Sequence, residues 1–227
     1  MIENFIPEEG KVILINKELR WTSFDVVKKI RNLVRVKKVG HAGTLDPLAT
    51  GLLIVCAGKM TKQINQFMDQ EKEYVGTMVI GKTTPSVDLE TNVDSEKSIK
   101  HISKDDVIAT SNKFIGILMQ TPPIYSALKK DGEPLYKKAR KGEKVKIEPR
   151  EVESKEFQIT KIDFPEVHFR LVCSKGFYVR SLVRDFGEEL GVGAYMSKLE
   201  RTRIGDLKIE DAITVDEFKK TLESISS

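Results

Sequence analysis

Cysteine is scarce in this 227-residue chain: Cys56 and Cys173 stand far apart, each inside an apolar, strand-like run. Thiols placed this way read as buried and free, and a disulfide is not expected. Histidine is scarce too. His41, His101 and His168 show no metal-ligand spacing with one another or with the cysteines, so no metal site is expected. Long hydrophobic runs are missing: the longest, Gly51 to Gly58 around Leu52-Leu53-Ile54-Val55, is far too short to span a bilayer. The opening Met-Ile-Glu-Asn-Phe-Ile has no basic n-region and no small-residue cleavage site, which leaves the cytoplasm as the expected location. There is no internal repeat, low-complexity tract or linker, and a single domain over residues 1–227 is expected.

What is present is a globular composition, 40% hydrophobic and 32% charged, with a net charge of +4. That excess of positive charge is a weak pointer to nucleic acid, and its distribution says more. Arg35-Val-Lys37-Lys38 forms a basic knot. Lys129-Lys130, Lys137-Lys138, Arg140-Lys141, Lys144 and Lys146 form a longer stretch, interleaved with Tyr125, Gly132, Tyr136 and Gly142. A solvated face explains such charge runs, and so does a loop that grips a phosphate backbone and stacks on bases.

Lys11 to Asn16 reads as a central strand, and Leu52 to Ala57 as a buried one. Thr22 or Ser23 caps a helix in which Phe24, Val27, Ile30 and Val34 keep helical spacing. Thr61 to Met68 is a short helix, Tyr74 to Ile80 a strand and Gly81 to Ser95 a polar loop. Ser103 caps a helix through Asn112, while Gln120 to Ala127 is extended because of its Pro pair. Glu133 to Arg140 is a short helix. Val152 to Ile162 and Val167 to Cys173 alternate like paired strands, and Phe177 to Leu190 is amphipathic, with Val179, Leu182, Val183, Phe186 and Leu190 inward. Thr214-Val-Asp-Glu217 is a capping box for a terminal helix. Strands and helices mix without a βαβ rhythm, so the expected class is α+β.

The segment Gly40-His-Ala-Gly-Thr-Leu-Asp-Pro-Leu-Ala-Thr-Gly51 is the densest in constraint. Its glycines permit positive φ or close backbone approach, and Pro47 removes a donor directly after Asp46. Such a loop can hold one carboxylate rigidly. Local chemistry leaves open an ordinary Asp-Pro turn and a hydrolase nucleophile or base.

This segment resembles the signature loop of the TruB-type tRNA pseudouridine synthases. The resemblance extends in order along nearly the whole chain. Leu14-Ile-Asn-Lys17 with Trp21-Thr-Ser-Phe-Asp-Val-Val27 resembles the family's opening, and Lys72-Glu-Tyr74 its K-x-Y element. Gln120-Thr-Pro-Pro-Ile-Tyr-Ser-Ala-Leu-Lys129, Gly132, Leu135-Tyr136 and Ala139-Arg140 resemble its RNA-clamping stretch, here about 119–150. Cys173-Ser-Lys-Gly-Phe-Tyr-Val-Arg-Ser-Leu182 resembles its Arg-bearing turn, and Leu199-Glu-Arg-Thr-Arg-Ile-Gly205 its L-R-R-T-x-x-G element.

The resemblance implies the pseudouridine synthase fold: a central mixed, mostly antiparallel sheet flanked by helices, with a clamping-loop insertion. It implies cofactor-free isomerisation of the uridine at position 55 in the T-arm of tRNA. Asp46 is then the catalytic carboxylate, Arg180 the guanidinium that keeps it ionised, and Tyr74 the ring that stacks on the extruded uracil. His41 contacts the target region, Tyr178 and Leu199 form pocket wall, Lys17 and Lys62 touch phosphate or pocket, and Lys129 and Arg140 grip RNA. A monomer with no obligatory protein partner is expected.

Some positions depart from the family pattern. Glu18 stands where Pro usually follows the lysine, Glu200 replaces the first Arg of L-R-R, and Pro85-Ser86 stand where T-D-T is common. The chain ends soon after Lys220, so the PUA domain of many relatives is not expected. A guide-RNA-dependent synthase and an RNA-annealing protein are the rival expectations.

Overall fold

The computed structural model describes residues 9–126, 128–130, 132–143 and 145–225, with the backbone alone for Lys130 and Ile225. The N-terminal hexapeptide, Ala127 and Lys144, all invoked above, lie outside the described residues. In chain order the main elements are β1 (Lys11–Lys17), α1 (Ser23–Val34), β2 (Val39–Ala42), β3 (Thr50–Ala57), α2 (Ile64–Asp69) and β4 (Lys72–Ile80). They continue with α3 (Lys104–Asn112), β5 (Gly116–Gln120), α4 (Leu135–Arg140), β6 (Arg150–Asp163) and β7 (Glu166–Cys173). Last come α5 (Val179–Glu189), β8 (Ala194–Ile204), β9 (Leu207–Lys208) and α6 (Val215–Ile225). The chain forms two compact units, residues 1–75 with 199–227 and residues 76–198, and passes between them inside β4 and β8.

In the first unit the strand order is β1-β3-β8-β4, with β2 also on β3 and β9 on β8. Strand β3 is antiparallel to β1 and β2 and parallel to β8. Its alternate residues serve two cores. Leu53 and Val55 join Ile13, Ile15, Val26, Ile30 and Phe218, while Leu52, Ile54 and Cys56 join Ala42 and Ile204. A strand covered on both faces has no polar side, which is why its sequence runs apolar without alternation. Burial also pushes the Cys56 thiol up to about 11, leaving it unreactive at neutral pH.

Helix α1 begins where expected. Thr22 is its N-cap, and the reciprocal bonds between Thr22 and Asp25 complete a capping box. The face it buries differs from expectation: Val26, Val27, Ile30 and Val34 point inward, and Phe24 is 65% exposed. Phe24 lies off the stripe because the helix is anchored by the β-branched pair Val26-Val27, not by the aromatic.

The second unit has the strand order β8-β4-β7-β6-β5. Strand β6 is antiparallel to both β7 and β5. The expected face of β7 is buried, with Val167, Phe169, Leu171 and Cys173 at 1% exposure or less. Phe157 packs edge-on against Phe169 (5.7 Å) and Phe186 (6.0 Å), tying the strands to α5. The supposed polar loop after Gly81 is a closed structure: Thr84, Ser86 and Asp88 are buried, and the Thr84 hydroxyl donates to the Asp88 carbonyl at 2.7 Å. The helix expected from Glu133 starts at Leu135, because Glu133-Pro134 pairs with Lys129-Lys130 as a short ribbon.

Strands β5 and β8 were not evident from sequence. In β8 the buried positions are 194 and 196, then 199 and 201, then 204, so twofold alternation breaks twice. The architecture is α+β with a mixed, mostly antiparallel sheet, as expected. Among the described residues no helix is long and apolar enough to cross a membrane.

Thr22→Ala should cost about 1 kcal/mol in urea unfolding through loss of the cap. Thr22 holds the Asp25 carboxyl below the usual carboxylate range. This share of stability is therefore present above the unfolded-state pKa and lost as pH falls through the native value, and the variant should lack that acid limb.

Candidate active site

The register of the first unit sets up an uncommon arrangement. Gly51 on β3 pairs with Lys17 on β1 and with Arg201 on β8. Side chains at paired positions share a face of a sheet, so two cations flank a residue that has no side chain. Both are almost fully buried, Lys17 at 0% and Arg201 at 1% exposure. Gly51 cannot be replaced cheaply: its φ is +101°, and a Cβ there would lie 2.4 Å from the Arg201 carbonyl oxygen.

Buried cations need partners, and these find theirs in the backbone. The Lys17 ammonium donates to the carbonyls of Trp21 (2.7 Å) and Glu18 (3.0 Å). Arg201 donates from Nε to the Leu52 carbonyl (2.8 Å) and from Nη2 to the Gly43 carbonyl (3.1 Å). One guanidinium thus holds both ends of the loop that carries Asp46. The tip is fixed from the other side. The Ser23 hydroxyl accepts from the Leu45 N–H at 2.9 Å, the Arg20 N–H donates to the Pro47 carbonyl at 2.7 Å, and the Ala49 N–H closes a turn on the Asp46 carbonyl at 3.0 Å. The residues on either side of Asp46 are therefore both tied down.

The electrostatics of this unit converge on the same carboxylate. Burial pushes the Lys17 ammonium down to about 8, Asp46 opposes that by holding the proton on, and Arg201 adds to it by repulsion. The attraction is mutual: the charge that Asp46 stabilises on Lys17 favours Asp46 as an anion. Lys17, expected to touch phosphate or pocket, lies beneath the loop with its ammonium committed to carbonyls. In the sequence Arg201 stands out only as part of the Leu199–Gly205 element. A buried arginine in an otherwise irregular strand carries no local signal of what it holds.

The remaining first-unit candidates are distributed as follows. His41 is half-buried on β2, its Nδ1 buried without a hydrogen-bond partner among the described residues. Burial first and Arg201 second lower its pKa, while the Gly43 backbone raises it, so the net effect keeps the imidazole neutral. Tyr74 is buried on β4, and Lys72, two residues earlier, donates to the carbonyls of Met68 and Gln70 at the end of α2. Glu73 between them accepts from the Thr202 hydroxyl at 2.8 Å. Leu199 is buried on β8, its carbonyl reached by the Thr50 hydroxyl at 3.5 Å. Lys62 is exposed on the turn before α2.

The second unit holds Arg180, Tyr178, Lys129 and Arg140. Arg180 is 3% exposed and donates to the carbonyls of Ser86 (3.0 Å) and Tyr125 (2.6 Å), with its Nε 3.6 Å from the Asp88 carboxylate. Asp88 was not singled out from sequence. It sits where the family pattern is broken by Pro85-Ser86, and Val87 beside it has a φ of +61°, rare for a β-branched residue. The Tyr178 N–H donates to Gln120 Oε1 at 2.7 Å, and the Arg150 guanidinium covers its ring at 4.8 Å. Lys129 and Arg140 are exposed, and Arg140 is paired with Glu90 at 2.7 Å and lies over the Tyr136 ring. Among the described residues no group of three or more His, Cys, Asp or Glu could hold a metal ion.

Two family models match adjoining stretches of the chain: the TruB family pseudouridylate synthase N-terminal domain over residues 31–179 and the tRNA pseudouridylate synthase B C-terminal domain over 180–226. The chain belongs to the TruB family of pseudouridylate synthases. Among its relatives is tRNA pseudouridine synthase B of Flavobacterium johnsoniae, 49% identical over 95% of this chain and 97% of that protein. The protein of the same name from Phocaeicola vulgatus is 46% identical over 95% and 94%. The chain also superposes on a chain of the archaeal box H/ACA sRNP Nop10-Cbf5 complex, with a TM-score of 0.72 at 26% identity. That match covers 97% of this chain and 56% of the archaeal one. The fold is thus a pseudouridine synthase fold and the protein an isomerase. Within this TruB-family chain, Asp46, Tyr74 and Tyr178 fall in the first matched segment, and Arg180, Leu199 and Arg201 in the second.

The position of Lys17 gives a pH prediction. Turnover should decline above about pH 8 as the ammonium beside Asp46 deprotonates, and Lys17→Met should show a lower plateau without that alkaline limb in a pH–rate profile. Stability moves the opposite way. The native pKa lies below the ordinary lysine value of 10.5, so the unfolded chain holds more protons between about 8 and 10.5, and this group's contribution to stability rises with pH across that window.

Proposed function

We propose that this enzyme converts the uridine at position 55 in the T-loop of tRNA to pseudouridine, without cofactor, with Asp46 as the catalytic carboxylate. The observation that carries the proposal is the doubly tied Asp46 loop above the buried Lys17 and Arg201. A carboxylate held in place and favoured as an anion is ready to act as nucleophile or proton acceptor without reorganising. The tRNA substrate is supported by the names of relatives that match over nearly their whole length.

The reaction breaks the N1–C1′ bond, turns the uracil, joins C5 to C1′, and moves the C5 proton to solvent while N1 gains one. Oxidation state is unchanged, so no redox partner is consumed. Reaching C1′ and C5 in a folded loop requires the nucleotide to be extruded, and Tyr74 is the ring assigned to stack on it. Arg180 is assigned to keep Asp46 ionised, the charge-assisted role expected of it from the sequence. His41 is assigned to the target region as a neutral imidazole, Tyr178 and Leu199 to the pocket wall, and Lys62, Lys129 and Arg140 to phosphate. The enzyme acts as a monomer without guide RNA or protein partner.

Purified protein with an unmodified tRNA transcript, EDTA and no guide should produce pseudouridine at one T-loop position by carbodiimide primer-stop mapping. No product, or product only with a guide RNA and accessory proteins, would overturn the proposal. Replacing Lys129, Lys137 and Arg140 together by Gln should raise KM for tRNA and lower the salt dependence of binding by about two to three in the log–log slope. Unchanged tRNA affinity would remove this segment from the RNA interface.

A further inference from the structure

The outward turn of Phe24 leaves a large aromatic in water next to the catalytic loop. Its neighbour Ser23 bonds Leu45, and Arg20 bonds Pro47, so this turn of chain is tied to both residues flanking Asp46. Leu19, five residues earlier in the chain, is 53% exposed. From Phe24 the exposed face of α1 continues through Lys28 and Arg31, steps of four and three that place them on one stripe about 10 Å long, and Arg35 follows as the exposed left-handed C-cap just past the helix. None of these three cations forms an ion pair among the described residues. Residues 19–38 hold seven Lys or Arg against one acid, Asp25. The basic knot at Arg35-Lys38 follows directly after the helix end.

An exposed aromatic in line with unpaired cations matches the chemistry of a looped RNA strand, with a base for the ring and successive phosphates for the charges. An acidic protein would use the cations and leave the ring idle. On the footing that the substrate is RNA, we propose that α1 is a second RNA-docking strip. In it Phe24 stacks on an unpaired base near the target uridine, and Lys28, Arg31 and Arg35 follow the phosphates leading away from it. The ring sets the position of the strand relative to Asp46, and the cations supply affinity.

Two variants test it against an in vitro tRNA transcript: Phe24→Ser, and Lys28→Gln with Arg31→Gln and Arg35→Gln. All four side chains are exposed, so thermal unfolding should match wild type. Phe24→Ser should weaken tRNA binding by about fivefold or more and raise KM in step, with kcat and the salt slope retained. The triple variant should weaken binding and lower the log–log salt slope by about two. Phe24→Trp should restore the affinity that Phe24→Ser loses. Either weakened variant binding like wild type, or a fall in kcat at unchanged affinity, overturns the proposal. Wild-type protein that makes no pseudouridine would instead defeat the substrate assignment, so the two failures are separable.

Discussion

Two positive charges, Lys17 and Arg201, are buried on either side of Gly51, and the first unit depends on how they are compensated. Taking a cation out of water costs several kcal/mol unless carbonyls or an anion replace the solvent. Four backbone carbonyls and the Asp46 carboxylate do so here. The compensation works in both directions. The cations need the loop to be where it is, and the loop gains a fixed position and a favourable field for its one carboxylate. Gly51 permits this because any side chain would collide with the Arg201 backbone.

Arg180 in the second unit is built by the same logic. It too is buried, donates to the Ser86 and Tyr125 carbonyls, and has the Asp88 carboxylate at ion-pair distance. Its carbonyl partners come from an expected polar loop at Ser86 and an expected extended stretch at Tyr125. The exposed basic residues behave otherwise. Arg140 and Lys141 hold surface carboxylates at Glu90 and Glu133, pairings that contribute little to stability and yield readily to a phosphate. Buried cations organise the backbone, and these surface cations hold only exposed or half-exposed carboxylates.

Legibility in the sequence followed how local each signal was. Asp46 was visible because glycine, proline and small residues crowd one short segment, and because the motifs around it recur in order. Strands β1, β3 and β7 and the three capped helices were visible through runs, alternation and capping boxes, all contained within a few residues. The burial of Lys17 and Arg201 was not, since a charged residue reads as exposed until the register pairs it with Gly51. Asp88 was hidden in a segment that departs from its family's pattern. Strand β8 escaped because its buried positions change parity twice, and Phe24 misled because an aromatic at helical spacing counts toward the apolar face. Each miss came from a long-range contact that overrides a local preference.

The central claim is that the Asp46 carboxylate, held in this field, performs the chemistry and does not merely shape the loop. Single-turnover reaction of excess enzyme with tRNA carrying tritium at uridine C5 tests it most directly, comparing wild type with Asp46→Asn. The account predicts that the amide variant binds the tRNA as wild type does and releases no tritium above background. Release at a measurable fraction of the wild-type rate, with binding intact, would contradict it.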